Sequence, residues 1–178
     1  MTIDLEGFKD VVWEPISDYT GIPQLLKANQ EMPEGHYKYP RILYHFLTKG
    51  EQTNNRLIET REVVGSESEN FEHDILHKFY LNPQMILSFQ GFGLEKGQVL
   101  PYMQKLAQWF QIRKLGKEFL RDYDCVVRNV NQIDDVTTTL NKQIEERFNL
   151  DIELQFEDIV EVRTDTIEEI EINGKKID

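Results

Sequence analysis

The chain has 178 residues, a formal net charge of −12, 39% hydrophobic and 11% aromatic residues, and one cysteine. That length and apolar content suit one domain with its own core and exclude a wholly disordered chain. The acid excess repels phosphate, which excludes ordinary nucleic-acid or anionic-membrane binding, and a single cysteine excludes an internal disulfide.

In chain order, Leu5, Phe8, Val12, Ile16 and Tyr19 recur at spacings of three and four and predict a helix over 4–20. Pro15 predicts a kink or a break into two short helices, and Gly21 a C-cap. Residues 22–28 read as a short strand. Arg41 to Lys49 is apolar on both faces, as a covered central strand would be. Arg56 to Val64 reads as a strand pairing back on it, and Gly65 to Asn70 as a polar loop. Ile75 to Leu81 and Met85 to Gln90 read as strands broken at Asn82-Pro83. Leu94 to Ile112 carries a helical stripe of Val99, Met103, Leu106 and Phe110, and Gly116 separates a shorter helical piece from it. Cys125 to Val130 is strand-like.

Residues 136–148 fit two readings. Val136, Leu140, Ile144 and Phe148 stand four apart, while Thr137 to Thr139 favour extended backbone. Phe148 to Phe156 alternates strictly and predicts a half-buried strand. Glu157-Asp158 breaks the period, which reads as a bulge before Ile159-Val160. Thr166 to Ile172 reads as a closing strand. The expected fold is α+β, with a mostly antiparallel sheet and an N-terminal helix and a long central helix packed on it. One domain is expected over 1–174, followed by a short polar tail at 175–178.

The search for chemistry is negative. His73 and His77 in HDILH have the i, i+4 spacing of a zinc site on a helix. The surrounding residues read as strand, which sets the two rings roughly 13 Å apart at about 3.3 Å per residue. They read as two ordinary histidines. GFGLEKG, Gly91 to Gly97, lacks the spacing of a phosphate loop and reads as a turn. Cys125 beside Val126 and Val127 reads as a buried thiol, not a nucleophile. No catalytic residue, metal or cofactor is expected. Neither a signal peptide nor a membrane span is expected: MTIDLEGFKD lacks basic and apolar segments, and no apolar run nears the roughly 20 residues of a span.

The segment TGIPQLLKANQEMPEGHYKYPRILYHFL resembles the N-terminal part of a family of tailed-bacteriophage neck proteins, the neck or tail terminators. In that family a helix ends in Thr-Gly, followed by a short strand, an Asn-Gln pair, prolines and a central strand. Thr20-Gly21, Asn29-Gln30, Pro33, Pro40 and residues 41–49 fill those places. Leu25-Leu26-Lys27 stands where the family has a β-branched strand. ERFNLDIELQF, Glu146 to Phe156, and TIEEIEI, Thr166 to Ile172, are similar to the family's long late strand and its closing strand.

The resemblance implies a structural virion component, a self-assembled ring, usually hexameric, at the head-proximal end of a tail. Its expected partners are the tail tube protein and the head-tail connector or stopper, and DNA would pass its lumen without specific binding. The implied location is the virion neck, with assembly in the host cytoplasm. The alternatives are another connector or assembly factor that binds a basic partner, and a metal-dependent enzyme through His73 and His77. Sheet edges within 41–64 and 148–172 are the expected subunit contacts. Nine acidic residues and one basic residue lie between Asp151 and Glu171. Such a run is a solvated face or a surface kept for a partner. Glu67, Glu69, Glu72 and Asp74, with Asp151, Glu153, Glu157 and Asp158, are the candidate interface or lumen residues.

Overall fold

A computed structural model of the chain describes residues 5–28, 38–51, 58–67, 72–140, 143–165, 170–172 and 175–177. In order these form α1 (Leu5–Thr20), β1 (Leu25–Lys27), β2 (Arg41–Glu51), β3 (Ile58–Gly65), β4 (His73–Leu81), β5 (Gln84–Gly93) and α2 (Leu100–Gln111). A π-helical turn (Arg113–Lys117), α3 (Glu118–Arg121), β6 (Cys125–Val130), β7 (Asp134–Asp135), β8 (Thr138–Leu140), β9 (Gln143–Phe156), β10 (Asp158–Asp165), β11 (Ile170–Ile172) and β12 (Lys175–Ile177) follow. This is the expected α+β class. Asn29-Gln30 and Pro33 lie outside the described residues.

The chain divides into two compact units, a larger one from residues 2–53 and 82–156 and a smaller one from 54–81 and 157–178. The larger unit is built on a sheet of order β1-β2-β5-β9-β6, with β7 and β8 also paired to β9. Only β1–β2 is parallel. Tyr44, Phe89 and Leu150 form one cross-strand row, and Leu87 and Ile152 stand in the next. All five side chains are buried, together with Val12 and Ile16 of α1 and Met103, Leu106 and Phe110 of α2. Each such burial stabilises the fold by about 1.5–3 kcal/mol. The alternation expected for Phe148 to Phe156 is present: every second residue is buried.

Local structure differs from expectation in several places, each for a physical reason. α1 runs through Pro15 without a break. Val12 and Ile16 on either side are fully buried, and that packing outweighs the lost backbone bond. Gly21 ends the helix with its N–H on the Ser17 carbonyl and φ +69°. Within the range Leu94 to Ile112, α2 starts at Leu100 with Pro101 in its first turn, the place where a proline fits a helix start. Gly116 lies against the Trp109 backbone, where a Cβ would come within 2.5 Å of the carbonyl oxygen. Of residues 136–148, 138–140 and 143–148 are strand and 141–142 lie outside the described residues; β8 pairs with the start of β9, Thr138 opposite Glu145. The threonines prevail over the four-residue spacing.

The smaller unit holds a separate antiparallel sheet of order β10-β4-β3. β3 therefore pairs with β4 and not back onto β2, whose two sides are taken by β1 and β5. Asn82-Pro83 separates strands of different sheets. The phase change at Glu157 is likewise no bulge. β9 ends at Phe156, and β10 begins at Asp158 as part of the other sheet. β11 and β12 pair antiparallel; residues 166–169 of the expected closing strand lie outside the described residues. Among the described residues no helix is long and apolar enough to cross a membrane.

Candidate functional site

Strand margins come first, because unpaired backbone is what recruits another chain. The expected ranges 41–64 and 148–172 each hold two strands: β2 and β9 have neighbours on two sides, while β3 and β10 are outer strands. The outer strands of the larger sheet are guarded. β1 has three residues, and β6 has a register shift between Val127 and Asn129. In the smaller sheet the outer strands are β3 and β10, eight residues each, paired to β4 in unbroken register.

The hydrogen-bond phase of these two strands follows from one bond. Ser66 N–H donates to the Glu72 carbonyl at 3.1 Å, one step beyond the Gly65–His73 pair. Antiparallel ladders alternate between bonded and non-bonded pairs. Val64, Glu62, Thr60 and Ile58 thus spend their backbone groups on β4, and Glu59, Arg61, Val63 and Gly65 turn theirs outward. The same alternation across β4 assigns Thr164, Val162, Val160 and Asp158 to β4. The backbone groups of Ile159, Glu161, Arg163 and Asp165 point out on the opposite side.

Side chains across this sheet tie both outer strands to the middle one. On one face Lys78 Nζ lies 3.3 Å from Glu62 and 3.8 Å from Glu161. On the other, His77 Nδ1 lies 2.7 Å from Glu59 Oε1, and Nε2 lies 2.9 Å from Thr164 Oγ1. Hydrogen bonds from Arg61 and His77 hold the Glu59 carboxyl down at about 2. Between these polar ties stand Ile58, Val63, Ile159, Val160 and Val162, all exposed; Val63 reaches 67%.

The acidic candidates do not form one group. Glu67, Glu72 and Asp74 share the β3–β4 turn. Glu67 is exposed and pairs with Arg163 at 2.7 Å. Asp74 is buried, and its Oδ2 accepts from the Glu67 N–H at 3.2 Å, so it shapes the turn. Glu69 lies outside the described residues. Asp151 and Glu153 are half-buried on the β9 face that points away from the helices, where Glu153 accepts from Asn129. Glu157 is exposed between β9 and β10, and Asp158 is half-buried.

His73 and His77 stand on β4, a strand, and among the described residues no cluster of His, Cys, Asp or Glu is placed to hold a metal. Cys125 is fully buried, and desolvation pushes its thiol far up. One structural residue escaped the sequence reading. Glu146, buried, accepts the Gly97 N–H at 2.7 Å and the Val99 N–H at 2.9 Å, which fixes the loop that enters α2. The signal was present, since Glu146 stands in phase with Phe148 and Leu150 and so points into the core. On the sheet's other face Arg41 and Arg147 flank the Phe92 ring, 5.3 and 5.4 Å from its centre.

No curated protein matches the chain. The profile of the phage neck terminator proteins matches residues 10–178. That match spans nearly the whole chain: the chain belongs to the phage neck terminator protein family, a structural and non-enzymatic component of the virion neck and tail.

Proposed function

We propose that this protein forms a closed ring, of six copies, at the head-proximal end of a phage tail. There it stops growth of the tail tube and joins the tail to the head connector. The whole chain acts as one terminator module in this reading. One observation carries it: among the described residues the smaller sheet offers two different, long strand margins with no further strand paired to them. A ring needs such a pair, because each copy must present one surface to the copy before it and another to the copy after it.

The charge suits a ring through which DNA passes. A net charge of −12 repels the duplex at short range, within a Debye length of about 8 Å at physiological salt. Glu67, Glu72 and Glu157 are the exposed candidates for the lumen, with Asp151 and Glu153 on the open face of the larger sheet. Asp74 and Asp158 serve the local structure in this reading.

Light scattering and negative-stain microscopy of the full chain, alone and on purified tail tubes, test the proposal. Ring-shaped particles of sixfold mass, or a six-copy cap on tube ends, support it. A chain that stays monomeric in solution and leaves tube ends bare contradicts it.

A further inference from the structure

We propose that the copies are joined by strand addition, with β10 of one copy pairing in parallel with β3 of the next. The inference rests on the ring reading above and names the contact. Both strands run antiparallel to β4, so they run parallel to each other. Rotation about an axis along the strands preserves that direction, and the junction it creates is parallel. Each side brings backbone donors and acceptors already turned outward, from Glu59, Arg61 and Val63 on one side and Ile159, Glu161 and Arg163 on the other. Neither strand contains a proline or a bulge to block addition.

The side chains select a register. Continuing the cross-strand rows of the sheet into the next copy sets Ile58 beside Ile159, Thr60 beside Glu161 and Glu62 beside Arg163 on one face. On the other face it sets Glu59 beside Val160, Arg61 beside Val162 and Val63 beside Thr164. This register contains one opposite-charge pair and no like-charge pair. A slip of two residues one way places Glu62 opposite Glu161, and a slip the other way places it opposite Asp165. Both slips oppose two carboxylates, which disfavours them. The exposed Ile58 and Ile159 lose their water in the selected register.

A disulfide tests the pairing. Within one copy Ile58 and Ile159 lie in the same row on either side of Tyr80, two strand spacings apart. That is roughly 9.5 Å, too far for a disulfide within the copy. Ile58→Cys with Ile159→Cys should therefore link only between copies. The buried Cys125 stays silent. Oxidation of assembled rings should give a ladder of covalent multimers up to the ring number, and neither single variant should give more than a dimer. A charge swap adds a second reading. Glu62→Arg or Arg163→Glu alone should raise the concentration for half-assembly by about tenfold or more, and the double variant should restore it. Glu161→Pro removes an outward N–H along with the carboxylate near Lys78 and should block assembly. Glu161→Ala, which loses the carboxylate alone, should assemble and should unfold thermally like the proline variant. Rings that assemble but give no ladder, with no rescue by the double swap, overturn the strand pairing and leave the ring intact. Failure of the unsubstituted chain to form rings, alone or on tubes, overturns the ring reading and this contact with it.

Discussion

The two units of the chain treat their strands in opposite ways. In the larger unit α1 and α2 cover one sheet face, the central rows are fully buried, and the outer strands are short or kinked. In the smaller unit the outer strands are long, straight in register and exposed, and their apolar side chains face water. Soluble proteins suppress such margins unless they are used. Under the ring proposal, the difference leaves stability to the larger unit and association to the smaller. Under that proposal it also accounts for the apolar residues that β3 and β10 expose.

The contrast is sharpest in the cost of losing a side chain. Phe89→Ala or Leu150→Ala should destabilise the monomer by about 3–5 kcal/mol. Val63→Ala should stay within about 0.5 kcal/mol and act only on assembly. Urea unfolding below the assembly concentration separates the two; a cost of several kcal/mol at Val63 would erase the distinction. Glu146→Ala leaves the Gly97 and Val99 donors without their carboxylate and should cost about 1–3 kcal/mol. Gly116→Ala drives a Cβ into Trp109 and should cost a similar amount, about 1–3 kcal/mol. Thermal melts of these variants check both.

The smaller sheet has its own weak dependence on acid. Glu59 is held at about 2 against an ordinary 4.5 by Arg61 and His77. A depressed carboxyl stabilises the fold above its unfolded value and loses that contribution as pH falls through its folded value. Amide protection in β3 and β4, taken relative to the intrinsic exchange rate at each pH, should therefore be steady above about pH 4.5 and fall between there and about 2, and Glu59→Gln should flatten this response. The smallest effect is at Cys125. Burial keeps its thiol protonated, so thiol reagents should leave the native chain unlabelled and react only on unfolding.

Much of the larger unit was legible because its burial is periodic. The alternation of Phe148, Leu150, Ile152, Leu154 and Phe156 marks a strand, and Met103, Leu106 and Phe110 mark the covering helix. Periodicity reports which way a side chain faces but not which sheet a strand joins. Thus Arg56 to Val64 was recognised as extended and assigned the wrong neighbour. The out-of-phase step at Glu157 looked like a bulge when it is a passage between sheets. Pro15 marks a local cost in the sequence, and the burial of Val12 and Ile16 on either side, which outweighs it, is visible only in the packed fold. Of the candidate site, the acidic residues were visible as charge and their roles were not. Nothing in the spacing of Asp74 distinguishes a buried turn-former from exposed Glu67. The margins lie inside the ranges 41–64 and 148–172 expected from the sequence, and the pairing singles out β3 and β10 within them.

Amide exchange on assembled rings tests the central claim most directly. The account predicts that Glu59, Arg61 and Val63 in β3, and Ile159, Glu161 and Arg163 in β10, exchange fast in the monomer and become protected in the ring. Protection that leaves these six amides fast and appears instead along β1 or β6 would contradict it.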